Sequence, residues 1–200
     1  MFTLLLTAAL LGFAPPSAKP TPPPPNAGPS IVHTLTNTNG QKSGTEVRKR
    51  PDGSVLDVVT WVNGQRSGPY FEYFSDGRCA TAGQFENDQR TGVWRQWASC
   101  GELVWETPYV KGKKEGVRNQ WSSDCDPKSP QYICEIITFK DNQKQGPSKH
   151  WWSNGQLSSE GNYDRDEKHG TWNTYYTDGK PMKTITYDHG QRTNEIDHKR

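Results

Sequence analysis

The sequence predicts an all-β fold: an elongated, single-layer antiparallel β-meander of 24-residue hairpin repeats. Three observations carry this expectation. First, Gly44, Gly68, Gly92 and Gly116 stand 24 residues apart, Gly146 follows after 30, and Gly170 after another 24. Second, Gly53, Gly77 and Gly101 form another series at the same period, which resumes at Gly155 and Gly179. Fixed periods of this kind mark repeat architectures. Third, each unit holds two turn signals separated by short segments rich in aromatic and β-branched residues, with no sustained 3.6-residue pattern, which reads as two strands per unit.

Composition narrows the classes. Hydrophobic residues make up 30% of the 200-residue chain, which excludes a thick aliphatic core. Lys and Arg number 24 against 22 Asp and Glu, so a strongly basic nucleic-acid binder is not expected. Every aromatic except Phe2 and Phe13 lies between Trp61 and Tyr187.

The elements follow in order. Residues 1–18 carry no charge, and the apolar run from Phe2 to Ala14 is shorter than the ~20 residues a bilayer span needs. It reads as a signal peptide with a small-residue exit near Ala18, so the mature chain is expected to be exported, periplasmic or extracellular, with no transmembrane segment. Residues 19–35 include Pro22-Pro23-Pro24-Pro25 and read as a proline-rich disordered linker. Residues 36–200 form the repeat domain, with units 37–60, 61–84, 85–108, 109–138, 139–162 and 163–186 and a partial seventh. The unit 109–138 carries a six-residue insertion around Asp126-Pro127-Lys128-Ser129-Pro130.

Asp52-Gly53, Asp76-Gly77, Asn154-Gly155 and Asp178-Gly179 are read as two-residue type I′ hairpin turns. The stretch Asn63 to Gly68 and its counterparts are read as longer loops. Segments FENDQRTGVWRQW (85–97) and YDRDEKHGTWNTYYTDGK (163–180) resemble the MORN-repeat variant family, and the resemblance extends over about 37–192. It implies an elongated antiparallel sheet of hairpins. Relatives of this kind include YwqK-type antitoxins, and MORN proteins more broadly act as membrane or protein adaptors. Unit 37–60 departs from the pattern in having no aromatic residue.

Register decides which side chains share a face. A long loop centred between Gln89 and Arg90 sets Phe85 opposite Trp94 and Cys79 opposite Cys100. A short turn centred between Asp76 and Gly77 sets Phe74 opposite Cys79 and Tyr70 opposite Gly83, where a ring can cover the glycine. One face then collects Trp61, Phe85, Tyr109, Phe139, Tyr163 and Tyr187 together with Val55, Cys79, Leu103, Ile133 and Leu157. The other carries Tyr73, Trp97, Trp121, Trp151 and Tyr175 among polar neighbours such as Arg95, Asn119, Lys149 and Asn173, and is the expected binding face.

Four cysteines in an exported chain predict two disulfides, Cys79–Cys100 by register and Cys125–Cys134 across the insertion. Their spacing matches no zinc pattern, and neither a metal nor a cofactor is expected. Lys42, Arg66, Arg90, Lys114, Lys144, Lys168 and Arg192 recur once per unit; all seven are read as lying in the long loops, so they project from one sheet edge as an anion-facing comb. The chain has no nucleophile elbow, phosphate loop or metalloprotease helix, and His150, His169 and His189 fall at different unit positions. The expectation is a non-enzymatic protein-binding scaffold; a toxin inhibitor and an anionic-surface binder are the alternatives.

Overall fold

Alternation along each strand and a turn every ten to fourteen residues produce one open antiparallel sheet with no helix among the described residues. The computed structural model describes residues 35–36, 39–126, 128 and 131–199. The expected signal peptide, and the linker as far as residue 34, lie outside them. The strands are β1 (Leu35–Thr36), β2 (Lys42–Lys49), β3 (Val55–Val62), β4 (Gln65–Tyr73), β5 (Cys79–Glu86), β6 (Gln89–Trp97), β7 (Leu103–Val110), β8 (Lys113–Lys114), β9 (Gly116–Trp121), β10 (Ile133–Lys140), β11 (Gln143–Trp151), β12 (Leu157–Asp164), β13 (Glu167–Tyr175), β14 (Pro181–Asp188) and β15 (Gln191–Asp197). They follow one another in chain order across the sheet, and the two-residue β8 pairs β7 beside β9. At ~4.8 Å per step the array extends on the order of 60 Å along the hydrogen-bonding direction.

The two turn types are the reverse of the sequence expectation. The stretch read as a long loop contains the two-residue turn. Asn63-Gly64, Asn87-Asp88, Lys111-Gly112, Asp141-Asn142, Arg165-Asp166 and His189-Gly190 all have positive φ at both residues, as a type I′ turn requires. Strand pairing resumes at once, with Val62 opposite Gln65 and Glu86 opposite Gln89. The Asp-Gly and Asn-Gly sites are instead three-residue loops in which only the glycine is left-handed. Arg50 N–H donates to Ser54 O, and Gly53 N–H to Arg50 O, at 2.9 Å each. The pattern repeats at Phe74/Arg78, Ala98/Glu102, Trp152/Gln156 and Tyr176/Lys180. This is a type I turn followed by a bulged glycine.

The glycines at Gly44, Gly68, Gly92, Gly116, Gly146 and Gly170 lie inside strands, each at positive φ. They form bulges. Between Trp61–Arg66 and Val59–Tyr70 the register moves by two residues, and a Cβ on Gly68 would sit 2.9 Å from Thr60 Cγ2.

These bulges change the cross-strand partners. Phe85 pairs Gly68 and Arg90, not Trp94. Tyr70 does pair Gly83, but Cys79 pairs Tyr73 rather than Phe74. The shift of one residue beside each three-residue turn moves the apolar position of the next strand to the opposite side. Tyr73–Cys79, Trp97–Leu103, Trp121–Ile133, Trp151–Leu157 and Tyr175–Pro181 are therefore cross-strand partners on one face. The rings Trp61 to Tyr187 keep the other face without that apolar column.

The main hydrophobic cluster lies on the first of these faces: Val58, Tyr73, Cys79, Trp97, Leu103 and Trp121, with Val47, Val55, Phe71, Ala82 and Ile133 against it. Trp97 and Trp121 are only 3% and 4% exposed, so the expected binding row is core over its first three members, while Trp151 and Tyr175 are half-buried. Arg95–Glu106 and Lys149–Glu160 ion pairs fill the polar row beside it, as expected from the sequence.

The disulfide pairing also differs. Cys100 bonds Cys125, and Cys79 and Cys134 are free. The β5–β6 bulge sets Thr81 opposite Gln96, so Cys79 never comes level with Cys100 and lies in the hydrophobic cluster. Cys100 sits in an exposed turn, and the insertion leans back across that turn to bring Cys125 within 5.6 Å, Cα to Cα. Trp121–Ile133 pairing and a Ser122 N–H to Tyr132 O bond at 2.9 Å already close the base of the insertion without Cys134.

Candidate functional site

The seven basic residues lie in strands and not in loops, and six of them, Arg66 to Arg192, are the second residue after a two-residue turn. They occupy the face opposite the tryptophan row. Each cation is set against the ring column: Lys42 over Trp61 at 4.9 Å, Arg66 over Phe85 at 4.2 Å, Lys114 over Phe139 at 5.0 Å and Lys144 over Tyr163 at 4.8 Å. Arg90 lies between Trp94 (4.2 Å) and Tyr109 (5.4 Å), and Lys168 between Trp172 (4.3 Å) and Tyr187 (5.3 Å). Cross-strand pairing makes the reason plain. Trp61 opposes Arg66, Phe85 opposes Arg90, and Tyr109 opposes Lys114, so rings and cations alternate across the sheet. Such contacts contribute roughly 0.5–1 kcal/mol each at exposed sites. Arg192 instead pairs Glu195. The ladder is thus a lengthwise stack and not an outward-pointing comb.

The two-residue turns tuck inward over it. Gly64, Asp88, Gly112, Asn142, Asp166 and Gly190 each donate their N–H to the carbonyl of the ladder residue one repeat earlier, at 2.8–3.1 Å. Where the second turn residue is Asp or Asn, its side-chain Oδ1 accepts from the backbone N–H of the same ladder residue: Asp88 from Arg66 at 3.1 Å, Asn142 from Lys114 at 2.7 Å and Asp166 from Lys144 at 2.8 Å. These bonds tie each two-residue turn to the ladder residue of the preceding repeat.

The result is a concave groove of about 500 Å³ over β2–β7, within the ~300–1,000 Å³ of ligand pockets. Its floor holds Val59, Tyr70 and Trp94, and Trp61, Trp105, Arg48, Glu72, Arg90 and Gln96 surround them. Trp94 is fully buried, stacked on Tyr70 at 5.5 Å and edge-on to Phe85 at 4.9 Å. Burial pushes the Tyr70 hydroxyl up to about 12, so it stays a neutral donor at physiological pH. Asp57 is buried and held by Arg48, whereas among the described residues Arg90 has no carboxylate partner, only a 3.3 Å bond to the Tyr109 hydroxyl. The groove therefore offers the partly exposed rings of Trp61, Tyr70 and Trp105, one cation free of a counter-ion and several uncharged polar groups. No convergent nucleophile and base lie in it.

Sequence reasoning placed these rings on one face but missed the groove. Alternation alone puts Trp105 on the side of Tyr109 and Gln96 on the side of Trp94, but it gives no sign that these residues line a concavity. It also missed a cluster at the far end. His169, Asp188 and His189 come together although their unit positions differ, since the tucked turn lays position 189 over position 169.

The fold defines an open-sheet hairpin-repeat protein, each unit contacting its neighbours along one axis. Residues 144–165 and 168–189 match the MORN repeat variant family, so these two segments are MORN-variant repeats. Each match begins at a ladder cation and ends on the first residue of the next two-residue turn, and the other units share that phase. MORN repeats are in general protein- and membrane-binding modules. No curated protein matches the chain.

Proposed function

We propose that the protein is a non-enzymatic, exported binding scaffold that captures an extended segment of a protein partner in the groove over β2–β7. The observation that carries this is the lining: Trp61, Tyr70, Trp105 and Arg90 are the residue types that dominate protein-binding hot spots, and they line one concavity. Its length across successive strands suits an extended chain better than a compact ligand. Export is supported by the apolar leader at 1–18 and by the Cys100–Cys125 bond, which persists in oxidising compartments. The ladder cations are largely engaged with rings, and Arg66 also with Asp88 at 2.8 Å, so a protein partner is favoured over an anionic surface. A YwqK-like inhibitor is the special case in which the captured protein is toxic when expressed alone.

The test is capture from the cells that make the protein, comparing wild type with Trp105→Ala and Glu72→Lys. Both variants should keep their far-UV spectrum and lose a shared partner by roughly tenfold or more, the scale of a hot-spot truncation of about 1.4 kcal/mol or above. Equal recovery of every partner by wild type and both variants would remove the groove from consideration.

A further inference from the structure

We propose that the last two hairpins carry a binding site for a divalent first-row transition ion, with zinc as the reference case, formed by His169, Asp188 and His189. His169 is the third residue of β13, Asp188 ends β14, and His189 opens the turn to β15. The Gly190 N–H bond to Lys168 O, at 2.8 Å, holds that turn over β13. The two imidazole centroids are 4.7 Å apart. Asp188 Oδ1 lies 2.7 Å from His189 Nδ1 and 3.9 Å from His169 Nδ1. One ligand atom from each residue falls within 4.8 Å of the other two. Zinc bonds of ~2.0–2.2 Å set tetrahedral donors about 3.3–3.5 Å apart, so small side-chain rotations bring these three onto one ion. His169 and His189 are 46% and 49% exposed, which leaves the remaining coordination to water.

The surroundings support the assignment. Asp164 Oδ2 lies 3.4 Å from His189 Nε2 and orients the ring from its second nitrogen, as outer carboxylates do at zinc–histidine sites. Asp164 is also within 3.5 Å of Arg165, so it is shared and does not close the site. Two imidazoles and one carboxylate select zinc, nickel, copper or cobalt over magnesium and calcium, which prefer all-oxygen sets.

The repeat supplies the competing structural reading. At the position of His169, Ser43 accepts from Asn63 N at 3.0 Å, Glu115 from Asp141 N at 2.9 Å and Gln145 from Arg165 N at 3.0 Å. His169 Nδ1 accepts from His189 N at 3.5 Å, the longest of the four. A hydrogen-bonding role accounts for a polar residue at 169. It does not account for a second imidazole at 189 beside an aspartate, and so long a bond is readily released to a metal.

The same comparison supplies variants that keep the fold. His169→Gln places the residue of position 145, and His189→Asn the residue of positions 63 and 87. Zinc chloride titrated into the full chain by calorimetry should give one-to-one binding, with imidazole proton resonances of His169 and His189 shifting and those of His150 and His198 staying put. Each variant should weaken binding by about tenfold or more while retaining its spectrum, and zinc should raise the melting temperature of the wild type only. No binding at 1 mM zinc (roughly the 4 kcal/mol limit of a meaningful site), or binding unchanged in both variants, would overturn the proposal.

Discussion

Gly83 and Trp94 show how single residues decide packing in a sheet without a second layer. A Cβ on Gly83 would sit 2.3 Å from Trp94 Cδ2, and the same relation recurs at Gly161 and Trp172. Each indole reaches across the glycine and donates from Nε1 to the next carbonyl, Gln84 O at 3.1 Å and Asn162 O at 3.0 Å. In the equivalent place Ile137 faces Ser148, so bulk on one side is matched by smallness on the other. Gly83→Ala should therefore destabilise by about 1–3 kcal/mol, the range for overpacking, with a red shift in tryptophan emission that Gly161→Ala also produces. Thermal melts and fluorescence check this, and an unchanged melting temperature would contradict it. Cys79 is the second residue-scale case. Burial pushes its thiol up to about 11, so almost none is thiolate at pH 8. Iodoacetamide should leave Cys79 unmodified in the native chain and modify both Cys79 and Cys134 in denaturant, while mass mapping finds Cys100 joined to Cys125.

At the scale of the element, the two-residue turn is where local conformation and inter-repeat bonding meet. Both residues need positive φ, which Asn, Asp and Gly tolerate best. Lys111, with φ 48°, is an exception. Lys111→Asn should stabilise the chain by up to ~1 kcal/mol, because an ordinary side chain loses about that much in the left-handed region. Chemical denaturation would register it as a higher midpoint with an unchanged slope. A lower midpoint would mean that the lysine makes a contact outweighing its backbone cost.

The whole molecule behaves as a one-dimensional array, so its parts should be removable in units of the period. Deleting 163–186 joins Asn162 to Tyr187 in phase and sets Ile196 where Trp172 covered Gly161. The shortened chain should fold, with a denaturant slope about one-seventh lower, since the slope follows the surface buried. Deleting 61–84 should do worse, because it sets Val59 beneath Trp94 in place of Gly83. Equal loss in both deletions would show that register alone, and not the fit of ring to glycine, couples the repeats.

The period, the strand count per unit and the all-β class were legible in the chain itself, because glycines at positive φ recur wherever the backbone must turn or bulge, and a repeat displays each such need six times. The column of Trp61, Phe85, Tyr109, Phe139, Tyr163 and Tyr187 was legible for the same reason. Only the tertiary structure decided what lies beside that column. A strand glycine such as Gly68 looks like a loop glycine until pairing shows three residues opposite one. Each such bulge slides the register by two residues, which parted Cys79 from Cys100; the one-residue shift at each three-residue turn set Trp97 beside Leu103 in the core, and the two-residue turns put the cations against the rings and His189 over His169. Period is a property of the chain and survives any register, whereas the partner of a side chain depends on hydrogen bonds made across the sheet.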